Sequence, residues 1–247
     1  MRRYTLVDQA YDVLLQRIAS AQLRPGDSLV EPRLAEELEI SRTPVRAAID
    51  KLVTQGLAKR RVHYGCTVAK PEPEELRDLF RVRQAVEGMA ATLLAFEGAD
   101  EDIALTREIL EELTSAQERG DDSAYAAKDF AFHQHIIRNC GNRYIALSGN
   151  AEAMLLLSFF EFHPYKTSGL TPFWSTGNYT PHEEILHAIE RRDGDTAGQA
   201  MRSHIRGAWG RVERWLTNRG VQWQHPDTIY PTQRRHLDAD WRQAPPG

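Results

Sequence analysis

Residues 31–52 read EPRLAEELEISRTPVRAAIDKL, and this stretch decides the N-terminal fold. Pro32 stands where the first turn of a helix tolerates a residue without an N–H, and Arg33 to Leu38 supplies one short helix. Glu39-Ile40-Ser41 interrupts the pattern. Thr43 is expected to cap a second helix with Pro44 at its first position. Val45, Ala48, Ile49 and Leu52 recur at helical spacing and give that helix an inward stripe, which Gly56 ends. Two helices about four residues apart have the spacing of a helix-turn-helix.

Working outward, residues 5–20 read as an amphipathic helix with Leu6, Ala10, Val13, Leu14 and Ile18 on one face. Pro25-Gly26-Asp27 is a turn, followed by a short strand at Ser28-Leu29-Val30. Downstream, LAKRRVHYGCTVAK has short arms around His63-Tyr64-Gly65, as a small β-hairpin wing has. Pro71 and Pro73 mark a boundary. Beyond it, helices are expected near 73–97, 101–119, 122–139, 142–165, 178–193 and 195–218. The segment 142–165 is apolar nearly all round, which predicts a central buried helix.

The expected fold is mainly α: a winged helix-turn-helix followed by an all-α antiparallel bundle. Residues 1–70 form the first domain, 71–73 the linker, 74–219 the helical domain and 220–247 a C-terminal extension.

With 41% apolar and 27% charged residues, the 247-residue chain has the composition of an ordered globular protein. It has no run of about 18 apolar residues that would span a membrane. Its N-terminus lacks the unbroken apolar core of a secretion signal. Cys66 and Cys140 form neither a CxxC pair nor a disulfide framework, so a cytoplasmic location is expected. Net charge is −4 overall, yet residues 1–70 carry 12 Lys/Arg against 8 Asp/Glu, leaving −8 for the remainder. A basic head on an acidic body fits a nucleic-acid partner for the head.

Arg42 and Arg46 lie four apart and project from one side of the second helix's start, the end that reaches base edges in a major groove. Arginine there suits bidentate pairing with guanine. Arg33 heads the preceding helix, and Ser41 and Thr43 are placed to donate to phosphate.

A second constellation lies in the helical region. Asp129 and His133 are one turn apart on an inward face with Tyr125, Ala126, Phe130 and Ile137. His204 falls on the stripe Ala197, Ala200, Met201, Ile205, Ala208, and His182 begins the stripe Ile185, Leu186, Ile189. Each histidine alone is explained by a core hydrogen bond. Together with a carboxylate that is costly to bury unpaired, the four predict a divalent cation site. Nitrogen and oxygen donors without thiolate suit zinc, nickel, manganese or iron, with positions left for water or a ligand carboxylate. His63, His135, His163, His187, His225 and His236 read as surface or loop residues. The aromatic stretch from Phe159 to Tyr179 would lie over the cavity as a lid, or simply pack.

These residues carry two resemblances. Pro25-Gly26, Pro32-Arg33-Leu34-Ala35, Ser41-Arg42-Thr43-Pro44-Val45-Arg46, Gly56-Leu57 and Gly65 resemble the winged helix of GntR-type regulators in order and spacing. Ala47 departs from the acidic residue usual at its position. The resemblance implies that Arg33, Arg42, Thr43 and Arg46 contact operator DNA, with Gly65 at the wing tip.

Residues 74–216 are similar to the FCD effector domain of the family's FadR branch. This rests on Arg83 with Glu87, Asp129-Phe130-Ala131-Phe132-His133, Gly141-Asn142, His182 with Glu184-Ile185-Leu186, Gly194-Asp195 and Met201 with His204. It implies Asp129, His133, His182 and His204 as metal ligands, with Arg83 and Asn142 toward a carboxylate effector. Arg83 is equally placed to pair with Glu87 one turn on.

The expected function is a homodimeric transcription regulator, a repressor rather than an enzyme, released from operator DNA by a small organic acid. Two rivals are a constitutive DNA-binding protein with a structural metal and a metal-dependent hydrolase or isomerase.

Overall fold

The computed structural model describes residues 4–20, 22–61, 65–147, 182–218 and 220–221. Helix α1 (Leu6–Ala19) opens with a capping box, in which Thr5 accepts from the Asp8 N–H while the Asp8 carboxylate receives Thr5's own N–H. Its inward face is Ala10, Tyr11, Leu14, Leu15 and Ile18; Leu6, expected inside, is exposed. Helix α2 (Glu31–Glu37) carries Pro32 in its first turn. A left-handed residue, Glu39, turns the chain into α3 (Arg42–Thr54).

The cap of α3 differs from the expectation. Ser41, not Thr43, is the capping residue by backbone conformation, and Pro44 lies in the first turn rather than at its first position. The whole first turn lacks intrahelical N–H partners, so proline is accommodated there without losing a bond. The stripe of Val45, Ala48, Ile49 and Leu52 is fully buried, as expected.

Strands β1 (Ala58–Arg61) and β2 (Gly65–Val68) pair antiparallel, Ala58 opposite Val68 and Arg61 opposite Gly65. This is the wing, with its 62–64 tip outside the described residues. Ser28 forms only an isolated bridge to Thr67 in place of a strand.

The helical part comprises α4 (Pro73–Glu97), α5 (Asp100–Glu118), α6 (Asp122–Asn139), α7 (Arg143–Leu147), α8 (His182–Glu190) and α9 (Gly194–Asn218) among the described residues. The expected 142–165 helix begins as α7; its remainder, the aromatic stretch and most of the C-terminal extension lie outside the described residues. No described helix is long and apolar enough to cross a membrane.

Two apolar cores organise the chain. One joins α1, α2, α3 and the wing. The other joins α4, α5, α6, α8 and α9 around Leu76, Leu94, Phe132, Ile136, Ile185 and Ile205. Helix α4 packs most extensively on α9, and α6 lies between α4 and α5. One α6 side chain departs: Phe130, buried, joins the first core and not the second. Arg192, in the left-handed turn between α8 and α9, donates to the carbonyls of Ala95 and Gly98 and pairs with Asp100. It thereby ties that turn to the α4–α5 corner.

Candidate functional site

The start of α3 presents Ser41, Arg42, Thr43 and Arg46 to solvent above a fully buried inner face. Arg46 Nε lies 2.9 Å from the Glu31 carboxylate of α2, and Arg33 Nε lies 2.7 Å from Glu37. Arg60 of β1 pairs with Asp50 at 2.6 Å, which links the wing to α3. Arg42 makes no ion pair or hydrogen bond among the described residues. Its guanidinium is thus unpaired on this surface, whereas that of Arg46 is engaged by Glu31. Gly65 opens β2 beside the tip with positive φ, which favours glycine. All of the expected DNA-facing residues are exposed, yet Arg33 and Arg46 are paired within the chain, and the Arg46–Glu31 pair is one that helical spacing did not reveal.

Substituting Arg42→Ala removes the guanidinium without touching the core. Specific duplex binding is expected to weaken by about 1–3 kcal/mol with an unchanged circular dichroism spectrum. Fluorescence anisotropy on an enriched duplex checks this, and unchanged affinity removes Arg42 from the reading set.

The second constellation is brought together by three helices. Asp129 and His133 come from α6, His182 from the first residue of α8 and His204 from the middle of α9. Each offers a ligand atom, and these atoms all lie within 4.8 Å of one another. All four residues are buried. The imidazole centroids stand 5.0 Å apart for His133 and His204, 5.5 Å for His133 and His182, and 4.3 Å for His182 and His204. His182 Nε2 is 2.9 Å from Asp129 Oδ1. Phe132 lies edge-on to both the His133 and His182 rings and closes one side of the group.

The charges suit a cation. Burial works to raise the Asp129 carboxyl, but the His182 hydrogen bond and the nearby positive groups outweigh it and hold the acid below its ordinary range. Burial depresses His182 in spite of Asp129, which favours the neutral, ligating imidazole. Three imidazoles and one carboxylate therefore converge in a buried group and fit a divalent ion of the zinc or nickel type.

Behind this group lies a feature that spacing only half disclosed. Arg83 and Glu87, one turn apart on α4, are both buried, with Arg83 Nε 2.5 Å from Glu87 Oε1. The other carboxylate oxygen, Oε2, lies 2.6 Å from His133 Nδ1. Burial works against the Glu87 carboxylate, yet Arg83 and His133 hold its pKa at about 2. The helix pair read in the sequence is thus also a bridge to a predicted ligand.

Asn142, expected toward an effector, is exposed, and its carboxamide oxygen accepts from the N–H groups of Tyr144 and Ile145, so it caps α7. One other sequence expectation changes. His135, read as a surface residue, is buried, with Nε2 2.8 Å from the Asp102 carbonyl of α5. Its partner lies 33 residues away on a backbone atom, which sequence periodicity does not encode.

Comparison with known proteins agrees with the two-part fold. Residues 6–68 match the model described as "Bacterial regulatory proteins, gntR family", and residues 78–207 match the FCD domain. The chain is 28% identical over 210 residues to the "Probable D-xylose utilization operon transcriptional repressor" of Paenarthrobacter nicotinovorans, covering 83% of this chain and 88% of that protein. It is 26% identical over 210 residues to the gluconate operon transcriptional repressor of Bacillus licheniformis, covering 83% and 84%. Among solved structures, McbR/YncC of Escherichia coli superposes with a TM-score of 0.72 at 22% identity, over 86% of this chain and 99% of that one. The two family models account for both cores in order, and the chain belongs to the GntR family of bacterial regulatory proteins, with an FCD domain as its helical part.

Proposed function

We propose that this chain is a transcriptional repressor whose hold on operator DNA is set by a small carboxylate bound beside a divalent ion in the FCD domain. The reading divides the chain at residues 71–73, with the DNA-reading head before and the sensing domain after. The observation that carries it is the buried group Asp129, His133, His182 and His204, which closes on one point from three helices. Arg42, Arg46, Ser41 and Thr43 on α3 supply the DNA-facing side. The relatives' names, repressors of sugar and sugar-acid operons, support repression and an organic-acid effector.

A bound ion would supply Lewis acidity and open positions for a ligand carboxylate. The chain's own residues do the rest. Asp129 and the three histidines hold the site in water-poor surroundings, and Arg83 adds a guanidinium suited to a carboxylate. A ligand alters DNA affinity only by binding two arrangements of the heads unequally.

Phe130 supports a route for that bias. It is the residue next to Asp129, and it packs in the core of the DNA-reading head. Movement of α6 at the ion is therefore felt under α1. Phe130→Ala is expected to leave ion affinity within about twofold while cutting the effector-driven change in operator affinity, a coupling of roughly 1–3 kcal/mol in such systems. Anisotropy titrations with and without the carboxylate check it, and an undiminished effector response excludes this route.

The two-copy reading finds support on α4. Leu79, Val82, Val86, Met89, Leu93 and Phe96 recur at spacings of three and four, and Val82, Met89 and Phe96 are exposed. Self-association of the helical part fits that stripe.

The whole reading is tested by enriching duplexes on the metal-loaded chain and titrating the selected duplex with a panel of di- and tricarboxylates. Duplex release by one of them is the expected result. Turnover of the acid without any effect on DNA would favour a metal hydrolase instead.

A further inference from the structure

Glu87 sits on α4 and is buried; Oε1 lies 2.5 Å from Arg83 Nε, and Oε2 lies 2.6 Å from His133 Nδ1 while also accepting from Arg83 Nη2 at 3.4 Å. Nδ1 and Nε2 lie on opposite flanks of an imidazole ring, and only one carries hydrogen in the neutral form. We propose that Glu87 is the positioning residue of the metal centre: it holds hydrogen on His133 Nδ1, turns Nε2 toward Asp129, His182 and His204, and is itself held by Arg83.

The physical reason is twofold. An acceptor fixed on Nδ1 selects one tautomer and one ring angle, so His133 meets an ion without first reorganising. A buried carboxylate is also costly unless compensated, and Arg83 on the same helix supplies the opposite charge within the domain's own core. Asp129 needs no comparable support because His182 already lies against it. His133 thus takes its orientation from α4, a helix that contributes no ligand among the four. In this way the long helix packed on α9 enters the ion site through one side chain.

This inference rests on the metal-centre reading above, and its test separates the two. Zn2+ affinity of the full chain is measured by competition with a chromophoric chelator, for the wild type, for Glu87→Gln and for the exposed control Glu184→Gln. Glu87→Gln has one acceptor oxygen in place of two and no charge, so it cannot accept from both Arg83 and His133, and it is expected to weaken Zn2+ binding by about 10–100-fold. The control is expected to match the wild type. Should Glu87→Gln fail to fold, R83M/E87M removes both buried charges at similar volume and is expected to bind Zn2+ weakly in the same range.

Nitrogen NMR on metal-free wild type gives a second readout independent of any variant: hydrogen on Nδ1 of His133 is expected. Hydrogen on Nε2 overturns the proposal, as does wild-type Zn2+ affinity in a folded Glu87 variant. Absence of stoichiometric Zn2+ from the wild type would instead overturn the metal centre itself.

Discussion

His204→Ala is expected to lower Zn2+ affinity by two to three orders of magnitude. A four-ligand zinc site is worth about 10–16 kcal/mol at neutral pH, so one ligand of four carries on the order of 3 kcal/mol. His204 is the sole member of the group from α9, and its ring lies 4.3 Å from His182 and 5.0 Å from His133. Its removal therefore opens the site on one side, and water replaces a nitrogen donor. His187→Ala, an exposed imidazole on α8, is the matched control and is expected to leave binding unchanged. Under the proposed function, in which the ion anchors the acid, the operator response to carboxylates should fall with the metal. Equal Zn2+ binding by both variants would remove His204 from the site.

Gly198→Ala is expected to destabilise the helical domain by about 2–3 kcal/mol, through overpacking of the α4–α9 seam. A methyl at Gly198 would stand 2.1 Å from Thr92 Oγ1 and 2.9 Å from the Gly88 carbonyl oxygen. The carbonyl belongs to helix backbone and cannot swing aside. The Thr92 hydroxyl already donates to that same carbonyl at 3.1 Å, so moving it breaks a bond. The thermal midpoint should fall by roughly 5–10 °C, at about 2–4 °C per kcal/mol for a chain of this size. Gly210→Ala on the same helix meets nothing nearer than 3.8 Å, and there the gain in helix propensity should leave stability equal or higher. Because His204 is less than two turns from Gly198, the strained variant should also bind Zn2+ more weakly. A Gly198→Ala midpoint equal to that of the wild type would show that the two helices do not pack this closely.

The parts of the fold that were legible in the sequence are those carried by local periodicity. Val45, Ala48, Ile49 and Leu52 gave α3 its buried face, and the spacing of Asp129 with His133 placed both on one side of α6. His182 and His204 could be drawn toward them because each heads or sits within an apolar stripe. Other features depend on partners that the sequence does not mark. Proline is acceptable at any position of a helix's first turn, so the motif Ser41-Arg42-Thr43-Pro44 left the cap of α3 misplaced by two residues.

Phe130 read as one more inward residue of α6, yet its neighbours are the other core's, across the chain from it in sequence. His135 and Asn142 each answer to backbone groups, and a backbone carbonyl carries no side-chain signature. Glu87 was visible as a helix partner of Arg83, but its second oxygen meets a ring 46 positions downstream. Tertiary packing decides such pairings.

X-ray absorption at the metal edge of the purified, zinc-loaded chain tests the four-ligand centre most directly. Three imidazole nitrogens and an oxygen donor at about 2.0–2.2 Å, with one ion per chain, is the predicted spectrum. A thiolate shell at about 2.3 Å, or a first shell of water alone, would contradict it.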